Sequence, residues 1–242
     1  MQQLILTEAS QRSIQSLKNV PMHEKILFTL LICFTFFRIE LVMATEQPSY
    51  QVILTQDNFE VRQYSPMLIA ETHVSGSMND ASRQGFRTIA DYIFGNNHLP
   101  NGKDSQKIPM TAPVIVTPQS AKITMTAPVT VTPQDSEHTF TETTSWYVSF
   151  VMPQPYTLDN IPQPNNPAVQ LKVVPQRYYV VNRYSGFNSE STIQTKINET
   201  LHWATQHHYT MVGLPQLARY NPPWTLPMFR RNEILIEIKQ PN

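Results

Sequence analysis

Cysteine is almost missing from this chain of 242 residues; Cys33 is the only one. It lies inside an apolar run, and Ile32 before it denies the small residue that a lipid-attachment cysteine needs. A chain that starts after that run has no disulfide, no thiolate metal site and no cysteine nucleophile. Glycine is scarce as well. Gly76, Gly85, Gly95, Gly102, Gly186 and Gly213 are too dispersed for a phosphate-cradling loop or a dinucleotide fingerprint. Charged residues make up 15%, with 18 of each sign, against about a quarter in an ordinary globular chain. No basic stripe stands out, which argues against a nucleic-acid partner. The chain also lacks a Gly-x-Ser-x-Gly elbow, and no carboxylate pair stands out.

What is abundant is proline, at 20 residues. Low charge with many prolines points to a compact β-rich body with stiff connections. The N-terminus reads as a targeting segment. Ile26 to Phe37 is an apolar run of 12 residues behind Lys25, and Val42-Met43-Ala44 offers a signal-peptidase site. The run is too short for a transmembrane helix, which needs about 20 apolar residues. Met22 opens this motif better than Met1 does. Residues 1–44 are therefore expected to be an N-terminal extension and signal peptide. Residues 45–242 are then an exported domain, periplasmic or secreted, with no stable membrane anchor once the signal is cleaved. From Thr45 onward the chain has 14 basic and 15 acidic residues.

The exported part contains a duplication. Phe59 to Tyr64, Ser65-Pro66, Met67 to Val74 and Ser75-Gly76 are echoed by Val169 to Val174, Pro175-Gln176, Tyr178 to Tyr184 and Ser185-Gly186. Each reads as a β-hairpin ending in Ser-Gly. A helix follows each pair. The first has Ala81, Phe86, Ile89, Ala90, Ile93 and Phe94 at apolar positions, with Asn79 or Asp80 as its cap and Gly95-Asn96 as its end. The second has Ile193, Ile197, Leu201 and Ala204, capped by Asn188 or Ser189. Further strands come next, at Ile108 to Val131 and Trp146 to Met152, then at Thr210 to Tyr220 and Glu233 to Ile238. The expected fold is α+β, two ββαββ-like halves sharing one core. A shorter repeat lies within the first half. Lys107-Ile108-Pro109-Met110-Thr111-Ala112-Pro113-Val114 recurs 15 residues on, from Lys122 to Val129. Its prolines limit it to edge or bulged strands, leaving one copy free to enter the sheet while the other loops out.

The Lys-Ile-x-Met-Thr-Ala-Pro-Val element, the Phe59-Glu60-Val61-Arg62-Gln63-Tyr64 strand, and Arg219-Tyr220-Asn221-Pro222-Pro223-Trp224 running on to Arg230-Arg231-Asn232-Glu233 together resemble the SOUL heme-binding protein family. The likeness spans about Tyr50 to Ile238. It implies a distorted antiparallel β-barrel of two pseudo-repeats with two flanking helices. It also implies a ligand, heme or another tetrapyrrole, held by apolar contacts in a groove against the first helix. The family's groove arginine falls on Arg83 and a neighbouring apolar contact on Phe86. A basic residue after Pro-Pro falls near Thr225, so that contact is missing. Where one member has a histidine proposed as iron ligand, this chain has Gln63.

Several residues are candidates on their own chemistry. Arg83 and Arg87, four apart on one helix face, could meet two propionates, against the plainer role of a solvated face. Phe86 and Ala90 could line a flat apolar groove or simply pack in the core. Trp224, Leu226, Met228 and Phe229 could cover a ligand, or Trp224 could close the barrel end. The histidines carry no metal-binding spacing, and packing explains Met110 and Met125. The expected function is a non-catalytic tetrapyrrole-binding protein with no resident metal ligand set. A second reading is a module for another small apolar molecule, since the two-repeat architecture also resembles effector-binding domains of the gyrase-inhibitor type. A third is an enzyme built on Glu60, Glu71 or His73. Period-2 alternation puts Glu71 and His73 opposite Ala70 and Thr72.

Overall fold

The computed structural model describes residues 45–119 and 143–241. The signal segment, Cys33 and the second repeat copy, Lys122 to Val129, lie outside the described residues. The first half contributes β1 (Tyr50–Gln56), β2 (Phe59–Tyr64), β3 (Met67–Ser75), helix α1 (Met78–Ile93), β5 (Val114–Pro118) and β6 (Ser145–Val151). The second contributes β8 (Val169–Val174), β9 (Arg177–Tyr184), helix α2 (Glu190–Gln206), β10 (Gln216–Arg219) and β11 (Asn232–Ile238). Two short strands, β4 (Asn97–His98) and β7 (Gln163–Pro164), pair separately. The main sheet is antiparallel and curled, in the order β1-β2-β9-β11-β10-β5-β6-β3-β8. This is the expected distorted barrel with two helices.

The expected hairpins do not form. β2 pairs with β9, and β3 pairs with β6 and β8. The first strand of each expected hairpin, β2 or β8, is thus paired with a strand of the other half. Ser65-Pro66 and Pro175-Gln176 are corners. Neither link carries the glycine or asparagine at positive φ that a two-residue hairpin turn demands, and proline has no N–H for a ladder. The short repeat enters the sheet at its last residue, Val114, where β5 begins.

Both helices lie on one face of the sheet. α1 is capped by Ser77, whose hydroxyl accepts from the Asp80 N–H at 3.2 Å, so the cap lies ahead of both expected candidates, Asn79 and Asp80. Ser189 caps α2 in the same way, accepting from the Thr192 N–H at 3.1 Å. Ile89, Tyr92 and Ile93 of α1 pack on Leu68, Val148 and Phe150. Gly85 lets the helix close on the sheet, since a Cβ there would come within 2.5 Å of the Val148 side chain. Ile193 and Ile197 of α2 cover Leu217, Ile234 and Ile236. Each such buried side chain contributes about 1.5–3 kcal/mol.

The opposite face carries no helix, and its polar residues are held by each other. Arg62 donates from both terminal nitrogens to Glu233, at 2.9 and 3.0 Å. The Tyr220 hydroxyl and Arg231 Nε also donate to that carboxylate, at 2.6 and 2.9 Å. Glu60 takes the Arg62 Nε at 2.6 Å. Glu233 is fully buried. Burial opposes its ionisation, but hydrogen bonds and charge from Arg62, with Tyr220 and Arg231, outweigh burial and hold the carboxyl below its ordinary value. A depressed carboxyl stabilises the fold above the unfolded-state pKa, and that contribution disappears as pH falls through the folded-state value. Glu233→Gln removes the fully buried partner of Arg62, leaving it only the partly exposed Glu60, and should cost about 3 kcal/mol at neutral pH. Its deficit should narrow below pH 4.5, the ordinary value of the group, in urea melts run across pH. A deficit that stays constant would contradict this assignment.

Candidate functional site

Antiparallel partners share a face of the sheet, so register alone places side chains beside one another. One row on the helical face runs Ala70, Phe150, Val114, Arg219, Asn232, Tyr184. Phe86 of α1 sits above Phe150, with ring centroids 5.3 Å apart. It is still 38% exposed, so it stands at the edge of the helix footprint and outside the closed core. Arg219 lies two strands along the row, about 10 Å away at 4.7–4.9 Å per strand.

Arg219 is a candidate that the sequence pattern does not reveal. Its Nε is buried without a hydrogen-bond partner, and among the described residues its guanidinium makes no ion pair. Burial lowers its pKa from the ordinary arginine value; the nearby Tyr184 phenol opposes that shift, and Arg230 adds a smaller push in the same direction as burial. Arg219 as a whole is half-buried, and an arginine fork in that position with no carboxylate partner can receive an anion. Nothing in Arg219-Tyr220-Asn221-Pro222-Pro223 signals this; only the strand register does.

Beyond Arg219 stands the 221–230 loop. It is anchored where the Gly186 N–H donates to the Pro227 carbonyl at 2.9 Å, and where Arg230 lies over the Phe187 ring at 5.7 Å. Arg230 further braces it by donating to the Thr225 and Pro223 carbonyls. Trp224 is 82% exposed, and Leu226, Met228, Phe229 and Phe187 are exposed with it. Trp224 therefore does not close the barrel end. So many apolar side chains left in water on a braced loop mark a binding surface. The row from Phe150 to Arg219 joins this loop to α1, with partly buried Val114 between them.

The other expected site residues are placed as follows. Arg83 is 72% exposed and pairs with Asp80 at 2.5 Å. Arg87 lies one turn on, its Nε 3.4 Å from the Arg83 carbonyl. Ala90 is buried, so it belongs to the helix–sheet packing and offers no open wall. Gln63 sits on β2, five strands from Phe150, too far to reach a ligand at Phe86. Glu60 is tied to Arg62. Glu71 and His73 do share the helix-free face, opposite Ala70 and Thr72. Glu71 is held by Lys172 and the Ser149 hydroxyl. His73 Nε2 is 2.6 Å from the Ser145 hydroxyl, on an exposed strand end.

The SOUL heme-binding protein model matches residues 45–237. The chain belongs to that family. That family's ligands are heme and other tetrapyrroles. On the helical face this chain has the half-exposed Phe86, the exposed apolar 221–230 loop, and Arg219, whose buried Nε has no hydrogen-bond partner. Among solved structures the chain is similar to the C-terminal domain of EcmrR, at 10% identity and a TM-score of 0.50, covering 79% of this chain and 98% of that one. It is also similar to EcmrR in its DNA complex, at 11% identity and a TM-score of 0.52, covering 96% and 71%. A hydrolase from Listeria innocua aligns at 11% identity and a TM-score of 0.47, covering 77% and 94%. At such identities the EcmrR likeness speaks to the fold alone. A search of curated proteins found no match.

Proposed function

We propose that this SOUL domain is an exported, non-catalytic carrier or buffer of heme or a related tetrapyrrole, bound on the helical face between α1 and the 221–230 loop. The observation that supports the placement is Arg219, whose buried Nε has no hydrogen-bond partner, in the strand row that leads from beneath Phe86 toward the exposed apolar loop. The macrocycle would lie on Phe86 and Val114, with Leu226 and Met228 over its far edge and Trp224 at the rim. Arg219 would take one propionate in a bidentate pair, while Arg83, exchanging Asp80 for ligand, and Arg87 would serve the other. When bound, heme supplies a flat apolar surface and two carboxylates; iron ligation by this chain forms no part of the proposal.

The non-catalytic reading is supported by the state of the best acid–base candidates. Glu60 and Glu71 are engaged by cations. The Ser145 hydroxyl that meets His73 donates to Gln119, so it is not poised as a nucleophile for that histidine.

A hemin titration of the full chain, read at the Soret band, should saturate at one equivalent. Arg219→Glu and Phe86→Glu should each weaken it by about tenfold or more, as expected for a lost charge pair or apolar wall. Arg83→Glu should weaken it less, because Arg83 is already solvated. No saturable spectral change, or unaltered affinity in both strong variants, would overturn the placement. Export is proposed on the apolar run before Ala44. Expression from Met22 should yield a periplasmic or secreted product whose mass corresponds to a start at Thr45. An uncleaved, cell-retained product would contradict it.

A further inference from the structure

The helix-free face holds a cavity of about 320 Å³ inside the curl of the sheet, with walls from β2, β3, β5, β6, β8, β9, β10 and β11. Its apolar lining includes Met67, Ile69, Ile115 and Leu235, and Tyr64, Tyr147 and Tyr179 contribute rings. The volume falls at the low end of small-molecule sites, which run about 300–1,000 Å³. It is too small to enclose a tetrapyrrole. It also lies across the sheet from Phe86 and Arg219, so it is not part of the groove.

Its charges are already matched to each other. Lys172 pairs with Glu71 and lies 5.4 Å from the centre of the Tyr147 ring. Arg177 pairs with Glu237. The Tyr64 and Tyr179 phenols are each pushed up to about 12, chiefly by burial, and stay neutral at physiological pH. An ion entering the cavity would have to break one of these pairs, whereas an uncharged molecule leaves both in place. The rings favour stacking with a flat partner. We infer that this cavity is a second ligand site, separate from the tetrapyrrole groove, for an uncharged, flat, largely apolar molecule of two or three rings.

N-Phenyl-1-naphthylamine is such a molecule, and its emission rises on leaving water. Titrated with the full chain, it should show saturable one-to-one enhancement. Ile115→Trp and, at the rim, Thr117→Trp fill the cavity and should each reduce affinity by about tenfold or more. Circular dichroism and thermal melting would establish that each variant is folded. Hemin affinity should be unchanged in both variants, and probe affinity should be unchanged in Phe86→Glu. Absence of saturable enhancement would overturn the inference. So would full probe binding in both folded tryptophan variants, or loss of probe binding in Phe86→Glu, which would place the probe in the groove. Hemin and probe are read by separate signals, so failure of binding at one site is distinguishable from failure at the other.

Discussion

Because β2 pairs with β9 and β8 pairs with β3, each half of the chain completes its sheet with a strand from the other. Neither duplicated unit can form its own layer, so the two fold as one. The exchange also sets the row of side chains on which the proposed groove is built. Phe150 comes from the first half and Arg219 from the second, and they face the same side only because β5 and β10 join the halves at Val114 and Arg219. The ion network around Glu233 locks the same arrangement from the other face, since Arg62 reaches from β2 to β11 across β9.

The sheet separates two environments. On the helical face, apolar side chains fill the space under α1 and α2, and the only unpaired guanidinium nitrogen buried among the described residues is that of Arg219. On the open face, charge is abundant but matched, Arg62 and Arg231 against Glu60 and Glu233, Lys172 against Glu71, Arg177 against Glu237. A buried charge is tolerated when paired and becomes a binding element when it is not. That criterion underlies both proposed placements: an amphipathic dianion by Arg219, and an uncharged ring system in the curl.

Much of the fold is legible in the sequence because its signals are local. The Ser-Gly pairs, the apolar stripes of both helices and the alternation through Glu71 and His73 all rest on short-range periodicity. Strand pairing is not local, and that is why the hairpins differ from expectation: Pro66 and Pro175 mark a change of direction without saying which strand comes alongside. The helix cap falls at Ser77 instead of Asn79 or Asp80 because all three side chains can cap, and only the backbone angle at Ser77, in the extended region, decides. Arg83 and Phe86 are reached through family resemblance. Arg219 lies within the motif that carries the resemblance, yet its lack of a partner depends on three strands meeting in register. The cavity is invisible in the sequence for the same reason, with lining drawn from eight strands.

These findings meet in one claim: tetrapyrrole binds the helical face and leaves the curl free. Ferric hemin broadens nearby amide signals, so a 15N-labelled sample of the full chain with one equivalent of hemin reads the position directly. Broadening is predicted to be strongest at Phe86, Val114, Phe187 and Arg219 and to fade toward Val174, Arg177 and Tyr179, which line the cavity away from that row. Broadening centred on Val174, Arg177 and Tyr179, with Phe86 and Arg219 unaffected, would contradict the claim.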